Sequence, residues 1–185
     1  MISWCGSWLG VVNLMVPLFI MLSVVLILIC VHGRVFGMLR TLRVSFFLWS
    51  ATWGKILTID NLNKRGLLLV NWFCMCWCNG ETVDHLLINC EIAHTLWSEV
   101  FMIFGIHWVL PDKVASLLFG WRNWFGKHSS NVWNLVAACV IWLVWKEWNS
   151  CTFEEIERPI DQLKSLLLCT LFDWSRKWGF TNFVL

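Results

Sequence analysis

The chain has 185 residues, of which 58% are hydrophobic and only 14% are charged, and its formal net charge is +2. This composition excludes a disordered or low-complexity protein, because such chains are poor in apolar residues and rich in charge. The near-neutral total also argues against a strongly basic protein that coats nucleic acid.

The amino terminus is uncharged, since residues 1–33 contain no Lys, Arg, Asp or Glu. Within it, residues 8–31 are almost wholly apolar, and about 20 such residues span a bilayer. Arg34, Arg40 and Arg43 follow directly, which would hold the carboxyl side in the cytoplasm. Residues 8–31 are therefore a candidate membrane anchor, and the alternative is an incidental hydrophobic leader. Without an anchor, a nuclear or cytoplasmic location is expected.

The next segments predict two helices and a short strand. Apolar positions in residues 44–57 follow helical spacing. Thr58 is typical of the N-cap of a short helix over Ile59 to Arg65, and Gly66 lies where a glycine ends such a helix. Residues 67–73 form an apolar run whose length favours a strand.

Further along, the pattern is helical. It predicts one helix that begins near Val83 or after Cys90 and ends at about Phe104, and a second from Pro111 to about Phe119. A polar loop is predicted over residues 121–131. Two further helices are predicted, over residues 132–148 and from Pro159 to about Lys177. The expected fold class is mostly α, a small helical domain around a Cys/His zinc knuckle with an N-terminal hydrophobic helix. Residues 1–33 form the leader, 34–110 the domain with the knuckle, and 111–185 a helical extension.

Four of the nine cysteines lie within residues 74–90, together with His85. Zinc prefers four thiolate or imidazole ligands in a tetrahedron, and Asn79-Gly80 permits the chain reversal that brings the two halves together. The candidate ligands are Cys74, Cys76, His85 and Cys90, with Cys78 as a further possibility. The spacing of the first cysteines is unusual, because only Cys74 and Cys78 have the usual two to four residues between them. The alternative is a set of unligated thiols.

A basic segment surrounds the cysteines, because residues 34–80 hold six basic residues and one acid. The candidate nucleic-acid contacts are Arg40, Arg43, Lys55, Lys64 and Arg65. Nearby tryptophans, Trp49, Trp53, Trp72 and Trp77, could stack on unpaired bases, although tryptophans at helical spacing are more often core residues. RNA or DNA is therefore the expected partner, and no small-molecule substrate is expected.

Catalytic motifs are absent from the sequence. No Asp-Asp pair is present to hold polymerase metal ions, and the acids at Glu154, Glu155 and Glu157 are typical of a solvated face rather than of an RNase H site. We therefore expect no enzymatic activity.

Several motifs together resemble the zinc-binding domain that follows the polymerase in plant non-LTR (LINE-type) retrotransposon reverse transcriptases. They are Leu42-Arg-Val-Ser-Phe-Phe-Leu-Trp49, Gly54-Lys-Ile-Leu-Thr-Ile-Asp-Asn-Leu62, Lys64-Arg-Gly66, Glu81-x-x-x-His85-Leu-Leu-x-x-Cys90, Ala93, Trp97, Trp121, Phe125-Gly-Lys127 and Trp142-x-x-Trp145-x-Glu147-x-Asn149-x-x-x-Phe153-Glu154. The resemblance implies a non-catalytic module that binds Zn²⁺ and assists nucleic-acid binding. The alternative function is a small single-pass membrane protein without enzymatic activity.

The chain also departs from the family's pattern. The last three family ligands fall on Cys76, His85 and Cys90, whereas the first falls on Phe73, one residue before Cys74. Trp148, Cys78 and Cys151 lie where the family tends to have Arg, and each change needs a single base change in an arginine codon. These departures favour a decayed copy of such an element.

Overall fold

The computed structural model describes residues 35–66, Met75, 82–124 and 131–177. These residues form α-helices and one π-helical turn, and they contain no strand. The elements are α1 (Val35–Thr52), α2 (Ile59–Lys64), the π turn (His85–Asn89), α3 (Glu91–Ile103), α4 (Val114–Trp124), α5 (Asn131–Glu154) and α6 (Ile160–Lys177). The expectation of a mostly α fold is thereby confirmed for the described residues. Residues 8–31 and the strand predicted over 67–73 lie outside them.

Helix α1 begins earlier than predicted and ends earlier. The backbone N–H of Gly54 donates to the carbonyl of Ala51 (2.9 Å), and that of Lys55 donates to the carbonyl of Ser50 (2.9 Å). Gly54 has a φ of 63°. This pair of hydrogen bonds around a left-handed glycine is a Schellman motif, which terminates a helix. The prediction of helix through residue 57 was therefore wrong.

The short helix α2 confirms its predicted signals. The hydroxyl of Thr58 accepts a hydrogen bond from the N–H of Asn61 (3.4 Å), and Gly66 follows the helix with a φ of 86°. The amide of Asn61 then donates to the carbonyls of Gly54 and Ile56 (2.7 Å each), which fastens α2 to the end of α1.

The prediction of a polar loop over residues 121–131 is partly wrong. Helix α4 continues to Trp124, and α5 already begins at Asn131. Trp121 is buried, and its ring stacks on that of Trp133 with centroids 4.3 Å apart. This apolar contact, which no local pattern reveals, extends α4. Helix α6 runs from Ile160 to Lys177 as predicted.

Helix α5 is the centre of the hydrophobic core, with α1, α3, α4 and α6 packed against it. Its Val136, Val140, Ile141 and Val144 are fully buried, and the buried face of α6 consists of Leu163, Leu167 and Leu171. Residues 132–148 therefore form a buried helix, as predicted. In the part of the chain that the structure describes, none of the helices combines the length and the apolar character that crossing a membrane requires.

Candidate metal centre and basic residues

Two of the candidate zinc ligands lie at the two ends of one helical turn. The backbone N–H of Cys90 donates to the carbonyl of His85 at 2.7 Å, the i→i+5 hydrogen bond of a π helix. In an α-helix, residues five apart point about 140° away from each other. The wider π turn brings residues five apart nearly in line along the helix axis, much as residues four apart are in an α-helix. The π turn thus places the backbones of His85 and Cys90 on one side of the turn.

The first end of the turn is held by hydrogen bonds to Thr82. Its hydroxyl accepts from the N–H of His85 (3.1 Å), and its carbonyl accepts from the N–H of Leu86 (2.9 Å). Thr82 therefore acts as an N-terminal cap for the turn that carries His85.

A second pair of contacts ties this turn to α4. The carboxylate of Asp84 accepts a hydrogen bond from the N–H of Val114 (2.9 Å), the first residue of α4. The amide of Asn89 donates to the carbonyls of Asp84 (3.4 Å) and Asp112 (3.5 Å). A residue next to His85 therefore caps a helix that begins 30 positions later.

Cys90 lies where the chain changes direction. Its φ of −60° and ψ of 140° break the helical path between the π turn and α3, which begins at Glu91. Its carbonyl accepts from the N–H of His94 (2.8 Å), the first bond of α3, and its side chain is fully buried. Cys90 therefore belongs to both elements, since its N–H closes the π turn and its carbonyl starts α3.

The environment of His85 favours the form that binds metals. Burial lowers the pKa of His85 below its ordinary value, because desolvation disfavours the imidazolium ion. Near neutral pH the ring is therefore uncharged, and a neutral imidazole nitrogen is a zinc ligand. An imidazole nitrogen and a buried thiol are a donor pair that fits zinc.

The remaining candidate ligands, Cys74, Cys76 and Cys78, lie outside the described residues. Met75, between the first two in the sequence, is buried in the same core as Cys90. Among the residues that the structure describes, no group of three or more metal-binding side chains comes together. The structure therefore describes two of the five candidate ligands, His85 and Cys90.

Four of the five candidate basic residues are described, and all four are exposed. Arg43 lies on α1, Lys55 follows it, and Arg65 follows α2. Lys64 forms an ion pair with Asp60 (2.6 Å). The side chain of Arg40 is outside the described part of the structure. Because Asn61 fastens α2 to residues 54–56, Lys55 and the end of α2 belong to one connected segment.

Two of the tryptophans considered for base stacking are described. Trp49 and Trp53 are both half-buried, and the ring of Trp49 lies 5.6 Å from that of Phe46. Part of each indole therefore remains accessible. Trp72 and Trp77 lie outside the described residues.

Residues 33–97 match the family model for zinc-binding in reverse transcriptase. This match supports a reverse transcriptase zinc-binding domain over about a third of the chain. It includes every candidate zinc ligand and every candidate basic residue, and it ends at Trp97, before the resemblance noted for later residues. No curated protein and no solved structure matches the chain.

A zinc-binding domain of this kind is an accessory domain and not itself catalytic, and no catalytic domain is detected in the chain. The sequence motifs found His85 and Cys90, but they did not reveal the residues that hold them. Thr82, three positions before His85, has the spacing of a cap and could have been recognised. The contact from Asp84 to Val114 has no local signal, because it joins distant parts of the chain.

Proposed function

We propose that residues 33–97 form a zinc-binding accessory module of the reverse-transcriptase type, without catalytic activity. The proposed ligands are His85 and Cys90 with Cys74 and Cys76, Cys78 being the alternative to Cys74. The family match over this segment is the observation that carries the proposal. When bound, zinc would cross-link the chain and stabilise its fold.

The geometry of the described pair supports this role. The π turn places His85 and Cys90 on one side of the chain, and burial keeps the imidazole neutral. A metal that joins this pair to cysteines before residue 82 would connect two segments around Asn79-Gly80. Acid would release the metal, because protons compete with zinc for the ring nitrogen of His85 and for the thiolates.

Metal analysis of the full chain, purified under reducing conditions, tests this proposal. We expect about one zinc per chain, and we expect His85→Ala and Cys90→Ser to weaken zinc binding at least about a hundredfold. Cys169→Ser is the matched control, because Cys169 is an exposed free thiol outside the matched segment. Cobalt substitution adds a spectroscopic test, since thiolate ligands give an intense charge-transfer band that Cys90→Ser should reduce.

A wild-type chain that holds no zinc would contradict the proposal. Zinc affinity that is equal in the wild type and in His85→Ala would remove His85 from the ligand set. Comparing Cys74→Ser with Cys78→Ser then decides which thiol completes the site.

The proposed role of the module is to hold nucleic acid through Arg40, Arg43, Lys55, Lys64 and Arg65. Exposed cations bind phosphates through the release of counterions, and half-buried tryptophans offer ring faces to unpaired bases. Lys64 should contribute least, because Asp60 already neutralises it.

Binding of a single-stranded oligonucleotide, measured over a range of salt concentrations, tests this role. The triple variant Arg43→Ala, Lys55→Ala, Arg65→Ala should lower the salt slope by about 2, at about 0.7 for each lost phosphate contact. Lys113→Ala with Lys146→Ala is the control, because both lysines are exposed and neither is a candidate. Equal slopes in the wild type and the triple variant would refute the assignment.

We further propose that the chain derives from a plant LINE-type element and is a decayed copy. The coding DNA tests this origin. Codons for Trp148, Cys78 and Cys151 that differ by one C-to-T change from arginine codons of intact relatives would support decay. Differences of several bases would contradict it.

A further inference from the structure

Beyond the ligands themselves, one buried side chain links the two parts of the chain that carry His85 and Cys90. The indole N–H of Trp97 donates a hydrogen bond to the carbonyl of Leu87 at 3.0 Å. Trp97 is on α3, after the change of direction at Cys90, and Leu87 is in the middle of the π turn, before it. Both side chains are fully buried.

This hydrogen bond connects the segment before Cys90 to the segment after it. The chain leaves the π turn, turns at Cys90 and enters α3, and the side chain of Trp97 then returns to the turn. The last carbonyls of a helical segment have no hydrogen-bond donor within that segment. The indole N–H of Trp97 supplies such a donor to the Leu87 carbonyl. A buried carbonyl without such a donor would destabilise the folded chain.

Cys90 belongs to both elements, because its N–H closes the π turn and its carbonyl starts α3. A change in the angle between the two elements that rotates the Cys90 N–Cα bond therefore moves the thiol relative to His85 at the start of the turn. Thr82 and Asp84 hold only the first element. The contact from Trp97 to Leu87 joins both elements and so restrains that angle. Groups that orient metal ligands typically change metal affinity by about 10–100-fold when they are removed.

We propose that Trp97 is a positioning residue for zinc binding. Its hydrogen bond to the Leu87 carbonyl keeps His85 and Cys90 in the relative position that a shared metal ion requires. This inference rests on the proposed function. It assigns Trp97 a role besides packing, although the indole also contacts Phe101 and Trp121 at centroid distances of 6.2 Å and 5.6 Å.

The test compares two variants with the same chemical change. Trp97→Phe removes the N–H that bonds Leu87, and Trp121→Phe removes an N–H that donates to the carbonyl of Trp133 at 3.3 Å. Both rings belong to one aromatic cluster, so both variants remove aromatic surface from the same part of the core. Only the first variant releases the π turn.

Zinc affinity of the full chain is measured by competition with a chromophoric chelator, using Zn²⁺ alone as the probe. We expect Trp97→Phe to bind zinc about tenfold more weakly than the wild type, and Trp121→Phe to bind it as tightly as the wild type. The cobalt-substituted Trp97→Phe protein should also show shifted d–d bands, which a loss of stability alone would not produce.

The outcomes separate the two proposals. If the wild type binds no zinc, the proposed function fails and the inference fails with it. If the wild type binds zinc and the two variants have equal affinities, only the inference fails. Should Trp97→Phe not fold, replacing Trp97 with 3-benzothienylalanine keeps the bicyclic ring and removes the N–H, and unchanged zinc affinity there would overturn the inference.

Discussion

The carboxylate of Glu147 accepts two hydrogen bonds from Arg158, one from its backbone N–H (2.9 Å) and one from its guanidinium (2.5 Å). The Glu147 side chain is 5% exposed and that of Arg158 is 29% exposed. This pair joins the carboxyl-terminal half of α5 to the segment that leads into α6. Glu147 is one of the residues on which the family resemblance rests, and these contacts give it a structural role.

Replacing Arg158 with Met should destabilise the protein strongly. The variant leaves the buried carboxylate of Glu147 without its counter-charge, which costs about 3 kcal/mol when a buried pair is broken in this way. Adding Glu147→Gln should recover part of the loss, because the amide needs no counter-charge. Urea unfolding of the two single variants and the double variant measures the coupling, and strictly additive losses would show that the ion pair contributes nothing.

The contact between Asp84 and α4 predicts a graded effect on stability. Asp84→Ala should lower the free energy of unfolding by about 1 kcal/mol, because the N–H of Val114 loses its cap. Asp84→Asn keeps an acceptor oxygen and should cost only a few tenths of a kcal/mol. Thermal or urea unfolding of both variants measures this. Equal losses would mean that the charge of Asp84, rather than its hydrogen bond, stabilises α4.

Local signals explain which parts of the fold the sequence predicts. Thr58 and Gly66 bound α2 because capping depends on a few neighbouring residues, and the spacing of Leu163, Leu167 and Leu171 reveals the buried face of α6. The π turn is different, because no local spacing signal in the sequence predicts an i→i+5 hydrogen bond. In the same way, no local pattern reveals the stacking of Trp121 on Trp133, which accompanies helix over residues 121–124 of the predicted loop.

In the candidate site too, some residues can be recognised from local sequence signals and others cannot. The motif around His85 and Cys90 can be recognised from spacing, since metal ligands need particular residue types. Their supports, Asp84 and Trp97, act through contacts with Val114 and with a backbone carbonyl. Such contacts become visible only when the chain is folded.

Alkaline pH should destabilise the protein through Cys139. Its thiol is fully buried, and desolvation raises its pKa far above the usual value. In the unfolded chain the thiol ionises normally, so the unfolded state loses a proton that the folded state keeps. Stability from this group is therefore complete below the ordinary thiol pKa of about 8.5 and is lost progressively as the pH rises above it.

The variant Cys139→Ala isolates this contribution. Its free energy of unfolding should fall less steeply than that of the wild type between about pH 8.5 and 10.5, in a urea series under reducing conditions. Cys169→Ala is the matched control, because that thiol is exposed rather than buried. Parallel curves for the wild type and Cys139→Ala would contradict the assignment.

Trp148 and Trp97 provide a comparison between two fully buried indoles. The N–H of Trp97 is bonded to the Leu87 carbonyl, whereas the Nε1 atom of Trp148 has no acceptor within reach among the described residues. An unsatisfied buried donor lowers stability by about 1–3 kcal/mol, so its removal offsets part of the packing that a smaller ring loses. We therefore expect Trp148→Phe to be less destabilising than Trp97→Phe by about 1–2 kcal/mol. Urea unfolding of the metal-free proteins measures the difference, and an equal or larger loss for Trp148→Phe would show that its stacking on Trp145, at 4.7 Å, outweighs the unsatisfied donor.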